Sequence, residues 1–180
     1  ARKAAWEVIK AVGKGAFADM ALSKIYKIYS LNPLDKAFVM EMAYGAIRQR
    51  YFLDCWIDYL GKIPGNKQPS ILRWLLHLGI YQILKMEKIP PAAAINTTVE
   101  LTKTSKIAKL SPVVNAILRS CLRLKEKGFV LPKLNNPCSE LAKNESLPFW
   151  LAKELISWKG ENSAIEIAKA FNTISSIDLR

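Results

Sequence analysis

The stretch SILRWLLHLGIYQILKM, residues 70–86, is apolar on nearly every side. A helix of that kind has no solvent face, so other elements must surround it. It is also too short to cross a bilayer, and Arg73, His77, Gln82 and Lys85 make it too polar. The chain must therefore supply a shell, and the flanking sequence reads as amphipathic helices.

ARKAAWEVIKAV sets Ala5, Val8, Ile9 and Val12 on one face, and the pattern stops near Gly13. FADMALSKIYKIYSL groups Leu22, Ile25, Tyr26 and Tyr29. NPLDKAFVMEMAYGAIRQR opens with Asn32 as N-cap and Pro33 at the first helical position. Its apolar face runs through Leu34, Phe38, Met42 and Ile47, and a bend is expected near Gly45 before YFLDCWIDYL. GKIPGNKQPS is a loop, and KIPP leads into AAAINTTVELTKTSK. Ser111 is the expected cap of a helix that has Pro112 at its first position and stops at Gly128.

Beyond that point GFVLPKLNNPCSELAKNESLP reads as a connector, followed by two short helices, PFWLAKELISWKG and ENSAIEIAKAFN. The closing TISSIDLR alternates as a strand would. A lone strand cannot satisfy its edges, so a longer protein is expected. The expected organisation is a helical domain over 1–130, then a linker and the start of a second region over 131–180.

Charge follows the same division. The formal net charge of the 180 residues is +12. Residues 1–60 carry +3, residues 61–130 carry +9, and residues 131–180 are neutral. A basic field of this kind attracts polyanions, above all nucleic acid. Three cysteines without paired spacing fit a reducing cytoplasm, and no signal peptide is visible.

Catalytic chemistry has few footholds here. His77 is the one histidine, and its place on the most apolar helix reads as a core residue. One histidine and unpaired cysteines make no zinc ligand set, and no Ser–His–Asp arrangement is available. Gly13 and Gly15 follow a helix rather than a strand, so they do not open a dinucleotide-binding turn. Cys138 lies in the connector without a partner base. Neither catalytic residues nor metal ligands are assigned.

Several motifs recur in a fixed order: Tyr44-Gly45 with Arg48, Leu78-Gly79 with Gln82, Ile89-Pro90, Asn96 with Val99-Glu100, and Val114-Asn115-Ala116 with Leu118-Arg119. This ordered set resembles the N-terminal domain of the bacterial ribosomal RNA 5-methylcytosine methyltransferases of the Sun/Fmu family, a domain similar to NusB. SLPFWL at 146–151 resembles that family's lead toward its catalytic half. One departure is Ser111-Pro112, where the family often has a Gly and aromatic lead-in. The resemblance implies an all-α, NusB-like helical bundle, followed by a linker and short helices leading to a catalytic domain outside this chain. It implies S-adenosylmethionine in that domain, none in this chain, and two partners: ribosomal RNA and the protein's own C-terminal methyltransferase domain.

The site residues follow from the helix opened by SPVVNAILRSCLR. At 100° per residue, Val113, Val114, Ile117, Leu118, Cys121, Leu122 and Leu124 fill one half of it. Asn115 lies at the border and reads as a partly buried, hydrogen-bonded residue. Asn96 and Glu100 read the same way, as polar groups tying helices or capping backbone. Arg119 is split between pairing with an acidic neighbour and contacting RNA or the missing domain. Arg123, Lys127, Lys103, Lys106 and Lys109 are phosphate candidates. Arg2 and Lys3 join them because the NusB relatives use a basic N-terminal helix for RNA. A plain solvated face is the alternative for all of these.

Overall fold

A computed structural model describes residues 1–173. The strand expected over 173–180 lies, from 174 onward, outside the described residues. Among the described residues the structure is helical, without strands. Its helices are α1 (Arg2–Val12), α2 (Ala18–Ile28), α3 (Pro33–Arg48), α4 (Arg50–Leu60), α5 (Ser70–Lys85), α6 (Pro91–Lys103), α7 (Ser111–Glu126), α8 (Pro137–Asn144) and α9 (Phe149–Asn172). Two compact units form, Ala1–Leu131 and Pro132–Arg180. No helix among the described residues is long and apolar enough to cross a membrane.

In the first unit α5 is the axis, and α1, α3, α4, α6 and α7 all pack against it. Leu75, Leu76, Leu78 and Ile80 are fully buried, as an all-round apolar helix requires. Two glycines set how closely its neighbours approach. A side chain at Gly45 would overlap the ring and hydroxyl of Tyr81, which donates to Glu41 Oε1 at 2.8 Å. A Cβ on Gly79 would come within 2.8 Å of Leu118 and 3.2 Å of Thr98. The Tyr-Gly and Leu-Gly pairs therefore have a packing role: they let α3, α6 and α7 approach α5.

Several polar groups within this unit are satisfied in recognisable ways, while among the described residues the buried Trp6 Nε1, Trp56 Nε1 and His77 Nδ1 have no hydrogen-bond partner. Thr98 and Thr102 are fully buried and donate to Ala94 O at 2.7 Å and Thr98 O at 2.9 Å in their own helix. The Lys125 ammonium donates to Ile83 O at 2.6 Å. That carbonyl lies in the last turn of α5, where unpaired carbonyls favour a cation.

The boundaries correct several expectations. The helix expected to bend near Gly45 runs straight through to Arg48 and breaks at Gln49 (φ −90°, ψ 14°). Gly45 is there to admit Tyr81, and it does not end the helix. Leu34, expected on the apolar face, is 83% exposed. Asn32 caps as expected, with Oδ1 accepting from Asp35 N–H at 2.7 Å. Ser111 does not cap; Leu110 holds that position, because the 3-10 turn Ala108–Leu110 leads straight into α7. Gly128 closes α7 at φ +66°, where a side chain would be strained.

The second unit holds a helix where a connector was expected. α8 starts with Asn136, whose side chain accepts from Ser139 N–H at 3.1 Å, and Pro137 at the first position. Lys143 is 5% exposed and donates to Pro132 O at 2.8 Å and Glu140 Oε2 at 2.6 Å. α9 is divided at Gly160 (φ 75°, ψ 167°), so 149–172 forms two helical stretches, as the sequence led us to expect. A small core of Leu141, Leu147, Ala152, Leu155, Ala164 and Ala168 holds this unit.

Candidate nucleic-acid interface

α1 carries Lys3 and Lys10 seven residues apart, two helical turns, so both stand on one side. Lys14 continues that side just past the end of the helix. This row borders a cleft of about 390 Å³, closed on its other sides by the start of α5 (Ser70, Trp74) and by Thr104 and Lys106 just after α6. Four ammonium groups, those of Lys3, Lys10, Lys14 and Lys106, thus meet one carboxylate, Glu7. Glu7 is already engaged by Lys10 at 2.8 Å, and the Lys10 ammonium sits 4.3 Å over the Trp6 ring. Lys3, Lys14 and Lys106 are exposed. The open N-terminus of α5 adds partial positive charge at Ser70, which has no side-chain cap at that end. Trp74 forms a wall of the cleft, with its indole lying close against Gly13. The arrangement suits phosphate oxygens.

A second groove, about 470 Å³, runs between α6 and α7. Asn96 lines it from α6, and Arg119, Ser120 and Arg123 line it from α7. The stripe at 115, 119 and 123 resolves here. Asn115 is half-buried and accepts from Arg119 Nε at 3.0 Å, so its bond runs along its own helix. Arg123 Nη2 donates to Ser120 Oγ at 2.9 Å. Among the described residues no carboxylate pairs with either arginine.

The remaining expected residues scatter. Lys103 is exposed and bound to Glu100 at 2.7 Å, and Lys109 and Lys127 are exposed outside both grooves. Asn96 and Glu100 do not tie helices together: both face outward, and Glu100 spends its charge on Lys103. Arg2 is half-buried, donates from Nε to Gln82 Oε1 at 2.7 Å and lies 5.2 Å from the Phe38 ring centre. Burial lowers its pKa, and its job is to join α1 to α5. The fully buried Gln82 completes the link by donating to Leu78 O at 3.0 Å. Lys10 and Lys14 are not among the expected residues, although the seven-residue step from Lys3 to Lys10 and the four-residue step on to Lys14 mark them.

His77 belongs to a buried node. Its Nε2 lies 2.8 Å from Asp54 Oδ1, and Arg73 clamps the same carboxylate through Nε at 2.7 Å and through Nη2. Burial holds His77 below its ordinary pKa, outweighing the pull of Asp54. Asp54 is itself held low: burial opposes this, but the bonds from His77 and Arg73 overcome it. Cys121, buried between helices, has its thiol pushed up to about 12, which leaves it inert.

Comparison with known proteins places this architecture. The NusB family matches residues 1–123. The chain belongs to the NusB family. It is also 33% identical, over 181 residues and its whole length, to the probable ribosomal RNA small subunit methyltransferase B of Synechocystis. It is 29% identical over 162 residues to the protein of the same name from Bacillus subtilis, covering 90% of the chain. The ribosomal RNA small subunit methyltransferase B of Shigella boydii is 32% identical over 121 residues, 67% of the chain. The chain spans 40%, 36% and 27% of those relatives' lengths. The NusB match falls within the first unit, whereas the Synechocystis relative continues through the second.

Proposed function

We propose that this chain is the RNA-positioning part of a cytoplasmic ribosomal RNA (cytosine-5) methyltransferase acting on small-subunit RNA, and that the α1–α5–α6 cleft holds the RNA. The observation that carries this reading is the meeting of Lys3, Lys14 and Lys106 at the uncapped end of α5, with no acidic partner bound to any of the three among the described residues. Exposed Lys109 and Lys127 add to the basic field of the same unit, whereas Lys103 is offset by Glu100. A free-standing antitermination role is the competing reading. The similarity to a methyltransferase across the second unit favours the enzyme.

The methyl donor does not fit the residues described. S-adenosylmethionine carries a sulfonium cation, and both grooves are lined by cations; a cavity in the second unit has Glu140, Glu145 and Glu161 in its lining but holds only about 170 Å³, too little for a nucleoside joined to an amino acid. No strand, glycine loop and helix unit is present among the described residues. The donor is accordingly assigned to the part of the longer protein outside this chain.

The test is binding of small-subunit RNA fragments to residues 1–180 at several salt concentrations. Each lost phosphate contact lowers the salt slope by about 0.7 for single-stranded RNA. The Lys3→Ala, Lys14→Ala, Lys106→Ala triple variant should bind weakly and with a slope lower by about 2 on that scale, while melting at the wild-type temperature. Lys159→Glu, in the second unit, should change little. Wild-type affinity and slope in the triple variant would remove the cleft from RNA binding.

A further inference from the structure

We infer that the α6–α7 groove is a protein-docking site, and that its occupant is an acidic segment of the methyltransferase part of the same longer protein; this rests on the reading above. Arg119 and Arg123 stand one turn apart on α7, and two like charges at that spacing oppose helix formation. Neither is neutralised by a carboxylate among the described residues. Both are already held in place, Arg119 by Asn115 at 3.0 Å and Arg123 by Ser120 at 2.9 Å. The bond to Arg119 uses Nε and the bond to Arg123 uses Nη2, so each guanidinium keeps N–H groups directed elsewhere. Fixed, unneutralised guanidinium forks are matched to carboxylates and to phosphates alike, which they bind through two parallel hydrogen bonds, so the lining beside them decides between a protein and RNA.

The groove beside them distinguishes a protein from RNA. It is lined by Ala92, Ile95, Ala116 and Leu122, aliphatic side chains that cover apolar surface on a partner. Among the described residues its lining has no aromatic ring on which an unpaired base could stack, and stacking is the usual hold on single-stranded RNA. The α1–α5–α6 cleft has the contrasting equipment, flexible lysines beside tryptophan. The alanines leave room for a second backbone to come close. Charge complementarity then requires an acidic occupant. The chain spans 40% of the Synechocystis relative, so a protein of that kind has ample further surface to supply one.

The experiment is arginine labelling with phenylglyoxal, read by mass spectrometry, in residues 1–180 and in the longer protein, each with and without small-subunit RNA. Exposed Arg48 is the internal standard. Arg119 and Arg123 should label like Arg48 in the isolated chain and at least tenfold more slowly in the longer protein without RNA. Equal labelling in both proteins overturns the proposal. So does protection that needs RNA in either protein. A second variant guards against the groove being an RNA grip: Arg119→Gln, Arg123→Gln in residues 1–180 should keep RNA affinity within twofold, and a tenfold loss would return the groove to RNA. Methyl transfer by the longer protein, measured in parallel, reports on the underlying function. An active enzyme with freely labelled arginines defeats the docking proposal alone, whereas an inactive protein with protected arginines defeats the methyltransferase reading, and with it the occupant's identity, but keeps the groove as a docking site.

Discussion

The α4–α5 node and the α1–α5–α6 cleft sit on the same central helix and use cations in opposite ways. At the node, Arg73 and His77 close on Asp54, and the positive charge is consumed inside the fold. At the cleft, Lys3, Lys14 and Lys106 face outward, and among the described residues no acidic partner is bound to them. Both regions touch Trp74: the Arg73 guanidinium lies 4.9 Å from its ring, and the same indole walls the cleft. The lesson is that a count of basic residues does not give the charge available to a ligand. What remains after internal partners are subtracted does, and that remainder is concentrated on a few faces.

The sharpest way to break this contrast is to remove the carboxylate that makes the node internal. Asp54→Ala would leave Arg73 and His77 partly or wholly buried without their partner. Breaking a buried ion pair by deleting one member costs about 3–5 kcal/mol, and the 16% exposure of the Asp54 side chain argues for the lower end. Urea denaturation should show that loss, while Lys14→Ala at the cleft should stay within about 0.5 kcal/mol of wild type. Equal midpoints for the two variants would mean that node and cleft are not different in kind.

Acid should reach the node first. His77 has its pKa lowered by burial, so the unfolded chain binds its proton more readily than the folded one. Stability should therefore be level above the ordinary histidine value of 6.5 and fall as the pH drops below it. Asp54, also held low, adds a further loss below its ordinary value of 3.8. The sign is the same for both groups: each favours the folded state at higher pH. Urea midpoints from pH 7.5 to 5 should decline in wild type and be flatter in His77→Phe, compared slope to slope. A wild-type midpoint that rises on acidification would show that the imidazole is charged in the fold and that Asp54 governs it.

Much of this architecture was legible in the sequence because the physics behind it is local. The all-round apolar run at 70–86 demanded a central helix, and Asn32-Pro33 announced a helix start that Asp35 completes. The same Asn-Pro signature at 136–137 was overlooked because the surrounding prolines suggested a connector. Gly45 misled for the opposite reason. A helical glycine signals a bend when only propensity is considered, and the side chain that explains it, Tyr81, comes 36 residues later in the sequence. The candidate site was legible as a set of charges but not as surfaces. Helical periodicity placed Arg119 and Arg123 on the polar side of α7, yet nothing local could show that α6 lies beside them. Polar pairs on an amphipathic helix, such as Asn96 and Glu100, invite a reading as ties between helices or as backbone caps. Their outward placement is set by how α6 rotates against α5 and α7, which is a tertiary fact.

The finest test of the comparison uses two adjacent residues. Arg2 and Lys3 are both basic and both open α1, and composition cannot tell them apart. A helix turns about 100° between neighbours, so one can face the core while the other faces solvent. Arg2 takes the inner position and bonds the buried Gln82, whose Oε1 would lose its donor in Arg2→Ala. An unsatisfied buried acceptor costs about 1–3 kcal/mol, and the half-exposed guanidinium places this case near the bottom of that range because water can enter. RNA affinity of the folded variant should be unchanged. Lys3→Ala should do the reverse, leaving the denaturation midpoint alone and lowering the salt slope of RNA binding by about 0.7. The two readouts, midpoint and slope, should thus exchange between neighbours. If Arg2→Ala lowers the slope and leaves the midpoint, the guanidinium leaves Gln82 to meet RNA, and the division between inward and outward charge fails at the residue where it is most exposed to challenge.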